Sequence, residues 1–218
     1  MSQWLAKLSL FEDSTPHTAA MNMAIDEALL GVITGPVLRV YHWAAPAVSF
    51  GYFERWEPVR AAHPGRDAVR RWTGGGVVLH GEDFTYSLLI PRSGAGEAAA
   101  ESYRIIHGAL CRALADAGMA AEPASSSAVK TSRSCFENPV LHDVLVAGRK
   151  VAGAAQRRTR KGLLHQGSIQ GIDLSPVFGF QFASRLAAVV IRDSFNVTPA
   201  AGEIAAKYSA AAWLEKHR

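Results

Sequence analysis

The sequence predicts an α/β (α+β) fold, a mixed β-sheet flanked by helices. Three observations point there. Short β-prone runs recur through the chain, separated by Gly, Pro and Ser punctuation. Only a few segments carry the 3.6-residue apolar period of a surface helix. No internal repeat or low-complexity spacer divides the 218 residues, which are 49% hydrophobic and can bury one sizeable core. Residues 1–218 therefore read as a single domain.

The elements follow in order. Thr18 to Val32 places Met21, Ala24, Ile25, Ala28 and Leu29 at helical spacing, with Asp26 and Glu27 on the other side. Val37 to His42 and Ala47 to Gly51 read as short strands broken by Ala44-Ala45-Pro46. Val69-Arg70-Arg71 ends a strand, and Gly74-Gly75-Gly76 turns the chain. Val77 to Leu79 resumes extended structure, and Asp83 to Pro91 alternates as another strand. Ser93 to Gly96 is a loop, and Glu101 to Gly118 is an amphipathic helix closed by a glycine. Pro123 to Arg133 is Ser-rich and reads as a mobile connection. Val144 to Val146, a tight turn at Ala147-Gly148, and Lys150 to Arg157 form a hairpin. Leu163 to Gln170 is a further strand, and the tail from Phe180 reads as helical.

Charge and cysteine usage exclude several classes. Twenty-three Lys and Arg against nineteen Asp and Glu leave a net charge of +4, far short of a nucleic-acid-binding tract. Such a surface suits an acidic protein partner, or serves solubility alone. Cys111 and Cys135 make no disulfide framework, so a reducing compartment is the default. No run approaches the ~20 apolar residues of a spanning helix, and the N-terminus lacks a signal-type apolar stretch. The expectation is a cytoplasmic monomer without membrane or nucleic-acid partners. No metal-ligand spacing surrounds the His142-Asp143 pair or His165, so no metal is expected.

Two segments carry the chemistry. The first is Arg70-Arg71-Trp72-Thr73-Gly74-Gly75-Gly76-Val77-Val78-Leu79-His80. Its glycines let backbone approach a ligand, and Arg71 can fork onto a carboxylate or phosphate. It is not a P-loop, which ends in Gly-Lys-Ser/Thr at a helix start. Nor is it a dinucleotide fingerprint, because the β-prone Val77-Val78-Leu79 follows where a helix should open. A turn without a ligand is the plain alternative. The second segment is Gly148-Arg149-Lys150-Val151-Ala152-Gly153-Ala154-Ala155-Gln156, a single ammonium among small residues. Together they suggest a pocket for an acyl carbonyl or acyl-phosphate head, with an extended acyl chain along the small-residue strand. Lys150 as a solvated hairpin lysine, and His80 as a satisfied core histidine, are the alternatives.

These motifs resemble those of the lipoate-protein ligase and octanoyltransferase superfamily, whose catalytic domain is distantly shared with biotin protein ligases. Also similar are Met21 to Ala28, Leu38-Arg39-Val40-Tyr41, Pro46 to Tyr52, Thr85-Tyr86-Ser87 and Leu164 to Ile169, so the likeness runs from about Asn22 to about Leu186. Within the superfamily, Ser134-Cys135-Phe136-Glu137-Asn138-Pro139 resembles the cysteine segment of the LipM and LipL type of octanoyltransferase. The resemblance implies a catalytic pair, with Cys135 forming an acyl thioester and Lys150 beside it. A thiol with pKa near ~8.5 is mostly protonated at neutral pH, and an adjacent ammonium favours the thiolate. Taken on its residue type alone, Cys135 is equally well a small buried hydrophobe. Cys111, inside an amphipathic helix, is read as core.

Carried over residue by residue, the substrate-binding candidates are Arg71, Thr73, Gly74, Gly75, Gly76, Val77, Val78, Leu79, His80, Gly153, Ala154 and His165. The implied function is octanoyl transfer from acyl carrier protein to a lysine of a lipoyl domain or of glycine-cleavage H protein, with no cofactor. The alternatives are an ATP- and Mg-dependent lipoate-protein ligase, and a non-catalytic module that binds lipoyl domains. Arg157-Arg158-Thr159-Arg160-Lys161 reads as a solvated hairpin tip, or as a dock for an acidic carrier. The accessory C-terminal domain carried by many ligases is not expected.

Overall fold

The computed structural model describes residues 3–94, 96–127 and 139–217. In chain order the first elements are β1 (Leu5–His17), α1 (Ala19–Val32), β2 (Val37–Trp43), β3 (Ala47–Phe50) and α2 (Trp56–Ala62). Next come β4 (Asp67–Arg70), β5 (Val77–His80), β6 (Phe84–Pro91), α3 (Ala99–Asp116), β7 (Ala121–Pro123) and β8 (Val144–Val146). The chain continues with β9 (Arg149–Arg158), β10 (Gly162–Ile169), α4 (Phe178–Leu186), β11 (Ala187–Arg192), α5 (Thr198–Ser209) and α6 (Ala211–Leu214).

Eight strands form one mixed sheet in the order β11-β1-β2-β6-β10-β9-β8-β7, and β4-β3-β5 form a small second sheet. Among the described residues of the large sheet, β1 pairs in parallel with β2 and β11, and the other pairs are antiparallel. Alternation along the central strands divides the core in two. Tyr86, Leu88 and Ile90 of β6 and Leu163 and Ile169 of β10 pack under α3 and α4. Leu89 and Leu164, one residue out of phase, pack under α1 and α5. The small sheet has its own cluster of Val48, Phe50, Val59 and Val77.

Local chemistry explains the ends that matter. Thr18 caps α1, its hydroxyl accepting from the Met21 N–H at 3.3 Å. Gly118, with φ of 83°, ends α3 in the left-handed conformation. Ala147 and Gly148 both have positive φ (50° and 73°), the two-residue turn that matches strand twist in a hairpin. One step inward, Val144 pairs with Ala152 but Leu145 pairs with Lys150, so Val151 is an extra residue. This bulge turns both Val151 and Ala152 into the α3-side core and swings Lys150 onto the opposite face.

Two parts of the sequence reading need correction. The tail from Phe180 is not continuously helical, because Ala187–Arg192 leaves α4 to pair parallel with β1. Leu5–His17 is a long strand that the local pattern did not announce. Cys135 with its Ser134 to Asn138 surroundings, and most of the Ser-rich connection, lie outside the described residues. Cys111 is buried in the core among Ile106, Leu110 and Leu114, and burial pushes its thiol up to about 11.

Candidate active site

The glycine loop is folded by its neighbours. The Gly51 N–H donates to the Gly76 carbonyl at 3.1 Å and the Tyr52 N–H to the Thr73 carbonyl at 2.9 Å. Backbone approach is so close that a Cβ on Gly51 would lie 1.8 Å from the Gly75 carbonyl oxygen. Gly75 itself has φ of 86°. Arg71, nearly buried, donates through Nη2 to the Gly74 and Gly76 carbonyls, each at 2.9 Å, and through Nη1 to Ser49 Oγ at 2.7 Å. The guanidinium therefore helps shape the loop it precedes.

Thr73 connects the loop to the core. Its hydroxyl donates to Gln166 Oε1 at 2.8 Å, and Gln166 Nε2 donates to Asp26 Oδ2 at 2.8 Å. Asp26 also accepts from Ser87 and from Arg39, whose guanidinium holds Asp13 and Asn22 as well. Removing one partner from such a buried charge set costs about 3–5 kcal/mol. Further along, Val77 is buried, Val78 half-buried and Leu79 exposed, and Gln170 Nε2 donates to the Leu79 carbonyl at 2.8 Å.

His80 sits at the centre of a directed chain of hydrogen bonds. Arg71 donates to Ser49, so the Ser49 hydroxyl donates to His80 Nε2 at 2.7 Å, and His80 Nδ1–H donates to Asp83 Oδ2 at 2.7 Å. Thr85 and Ser168 donate to the same Asp83 oxygen. The ring stacks on Trp43, whose indole N–H donates to Thr85. Burial lowers the His80 pKa, and the chain closes only with a neutral ring protonated on Nδ1. Burial alone would raise Asp83, but bonds from His80, Ser168 and Thr85 outweigh it and bring the carboxyl down to about 2.

Lys150 lies on the same side of the large sheet as this loop. Gly153 pairs with Ser168 and Ala155 with Gln166, so all four face the loop, which bonds to Ser168 through Asp83 and to Gln166 through Thr73. The lysine side chain folds back over Gly153, where a Cβ would meet Cε at 2.7 Å and Nζ at 2.9 Å. Its ammonium pairs with Asp143 Oδ2 at 2.7 Å, with both side chains buried. The structure thus brings Arg71, Thr73, the Gly74-Gly75-Gly76 loop, His80, Lys150 and Gly153 to one side of the large sheet, whereas Val77 packs in the small sheet's own cluster and Leu79 is exposed.

Ala154 and His165 point the other way, towards α3. His165 is fully buried, near Tyr86, Tyr103 and His107, and burial followed by the His107 charge holds its pKa well below the ordinary value. Sequence reasoning passed over Ser49, Asp83, Thr85, Gln166 and Ser168, and took Asp143 only as half of a His-Asp pair. A clue was the alternation of Thr85 with Ser87 and of Gln166 with Ser168, buried polar positions two apart on β6 and β10. Among the described residues no cluster of three His, Cys, Asp or Glu is arranged to hold a metal, and no helix is long and apolar enough to cross a membrane.

A mixed sheet, a glycine loop braced against it and a buried lysine side chain on the facing strand together frame one site. The chain belongs to the lipoyl protein ligase A/B catalytic domain family, whose model matches residues 18–179. It is 38% identical over 179 residues to the octanoyltransferase LipM of Kyrpidia tusciae, covering 73% of this chain and 64% of that protein. Against the octanoyltransferase LipM of Macrococcus caseolyticus it is 34% identical, covering 85% of this chain and 75% of that one. The match thus spans less than two thirds of the Kyrpidia relative.

The fold is shared with a crystal structure of lipoate-protein ligase A bound with ATP, at TM-score 0.77 and 20% identity, covering 98% of this chain and all of that one. It is shared equally with a bi-partite lipoate protein ligase of Thermoplasma acidophilum, at TM-score 0.76, 20% identity and 98% coverage of both chains. At such identities the likeness speaks for the fold, and the mixed sheet flanked by helices is the fold expected from the sequence.

Proposed function

We propose that this chain is an acyltransferase that moves an octanoyl group from acyl carrier protein to a lysine amine on a lipoyl domain or glycine-cleavage H protein, by way of a thioester on Cys135. The observation that carries the reading is the buried Lys150 ammonium, folded over Gly153 on the face that the glycine loop covers. The octanoyltransferase names of relatives at 34–38% identity support the same reaction.

In the first step the Cys135 thiolate attacks the carrier thioester carbonyl, a new C–S bond forms and the carrier thiolate leaves. In the second, the acceptor amine attacks the enzyme thioester, an amide forms and the Cys135 thiolate is released with loss of one proton from nitrogen. Both steps stay at the acyl level of a thioester, so no nucleotide is consumed. Each passes through a carbonyl oxygen that gains negative charge, and the Lys150 N–H donors stabilise that charge in a site shielded from water. Arg71 keeps the glycine loop in the shape that receives the acyl head, Gly153 makes room for the lysine, and the small Ala155 leaves the sheet face beyond it to an extended acyl chain. Residues 1–218 act as one catalytic unit, monomeric and cytoplasmic.

The test is intact-protein mass after mixing with octanoyl-acyl carrier protein, for wild type and Cys135→Ala. A hydroxylamine-labile octanoyl adduct on wild type alone is the expected result. No adduct, with ATP and lipoate giving a bound acyl-adenylate in both proteins, overturns the transferase in favour of a ligase.

A further inference from the structure

Asp143 is a buried carboxylate that none of the steps above uses. It stands just before β8 begins, one residue ahead of the Val144–Ala152 pair, opposite Gly153. Its oxygens accept from the Tyr103 hydroxyl at 2.6 Å and the Val140 N–H at 2.7 Å, and pair with Lys150 Nζ at 2.7 Å. Tyr103 is fixed in turn, accepting from the Ala154 N–H at 3.2 Å beyond the last β8 pairing. One helical turn along α3, the His107 ring packs on Tyr103 at 4.1 Å and its Nδ1–H donates to the His142 carbonyl at 2.7 Å. His142 needs that hold, because its φ of 71° is uncommon for a residue with a side chain.

We propose that Asp143 is the positioning residue for the Lys150 ammonium, and that Tyr103 fixes Asp143. The arrangement is more than a stabilising ion pair. Taking two charges out of water costs about as much as their attraction returns, so an apolar pair would fill the space equally well. What a carboxylate adds is direction. A lysine side chain has four rotatable bonds and no fixed fork, so an amine that must meet a carbonyl oxygen needs a partner to set its donors. Here the bulge at Val151 turns the stem, Gly153 makes room for it and Asp143 receives its end. The inference rests on the acyltransferase reading for its catalytic consequence, but the holding of the amine is testable without it.

Wild type, Asp143→Asn, Tyr103→Phe, Lys150→Ala and the Asp143→Asn/Lys150→Ala double variant are compared in two ways. The first is modification of Lys150 by a small amine-reactive reagent, read by peptide mass spectrometry against exposed Lys7. Lys150 is expected to react several-fold faster in Asp143→Asn, and faster by a smaller factor in Tyr103→Phe, with Lys7 unchanged. The second is steady-state octanoyl transfer. Asp143→Asn should lower kcat by about a hundredfold with little change in KM, and the same substitution should do almost nothing further in the Lys150→Ala background.

Unchanged labelling together with additive kinetic losses overturns the proposal and leaves Asp143 a structural group. If wild type transfers no octanoyl at all, the acyltransferase reading falls and the labelling arm alone decides the positioning role. Tyr103→Phe keeps every buried charge paired, so it carries the labelling test should Asp143→Asn fail to fold.

Discussion

At the scale of single residues, the site depends on an atom that is missing. Gly153 has ordinary strand conformation, so its glycine is explained by space rather than backbone freedom: a Cβ there would press on Lys150 Cε and Nζ. Both are the far end of a flexible side chain, and the rest of the strand has no quarrel with alanine. Gly153→Ala should therefore fold, with a melting temperature within about 4 °C of wild type, a shift worth roughly 1 kcal/mol. It should lose octanoyl transfer by about tenfold or more, because the amine is pushed off Asp143. Calorimetry and the transfer assay check this pair of outcomes, and a large fall in melting temperature with full activity would contradict it. Gly167 makes the contrast, since a Cβ there would meet the fully buried Tyr86 ring at 2.3 Å and has nowhere to go. The sequence marked Gly153 as one of several small residues, but neither spacing nor composition could say which of them faces the lysine. That needed the bulge at Val151, which reverses the faces of a strand that otherwise alternates.

At the scale of elements, the glycine loop and strand β3 are one device. Gly51 closes β3 against the loop so tightly that the methyl of Gly51→Ala would overlap backbone, 1.8 Å from the Gly75 oxygen and 2.7 Å from its carbon. Backbone cannot rotate away as a side chain can. Gly51→Ala should cost about 1–3 kcal/mol or more of stability, read as a fall in the urea midpoint at unchanged m-value. An unchanged midpoint would mean the loop has another packed arrangement. This junction was legible from Gly51 and the triple glycine, because turns and close approaches announce themselves locally. So were the Ala147-Gly148 hairpin and the all-buried β10, whose apolar runs are local too. Among the strands that escaped are β1 and β11, which pair with each other across some 180 residues, Leu5 with Ala187 and Leu10 with Arg192. The second half of β1 carries Glu12, Asp13, Ser14 and Thr15, and Asp13 is met by Arg39 and by His17. In β11, Ala187-Ala188 continues the helical composition of α4, and Val189 and Ile191 are exposed at the sheet edge, so no alternation betrays a buried face. Partners that distant decide the structure without leaving a local pattern.

At the scale of the whole molecule, the same burial that shapes the site makes the fold sensitive to acid. Three histidines are held neutral inside the protein. Burial pushes His107 down to about 4, against only partial help from Asp143, and also lowers His80 and His165. In the unfolded chain each regains an ordinary pKa near ~6.5. Between that value and the native ones, the unfolded state binds protons that the native state refuses, so stability rises with pH and is lost as pH falls. Asp83 acts in the same direction at lower pH. Its native pKa of about 2 lies below the 3.8 of a free aspartate, so its contribution is present above that range and disappears as pH drops through it. Stability measured by urea unfolding should be level between pH 7 and 8. It should then decline from about pH 6.5 to about pH 4, at up to ~1.4 kcal/mol per pH unit for each histidine. Near pH 5 the slope should correspond to uptake of two to three protons on unfolding, reported independently by the buffer dependence of the calorimetric enthalpy. A slope near zero would mean that the rings are charged in the folded protein. The Ser49–His80 bond would then have to reverse, with the Ser49 hydroxyl accepting from His80 Nε2–H and its own proton turned elsewhere, while Nδ1–H still donates to Asp83.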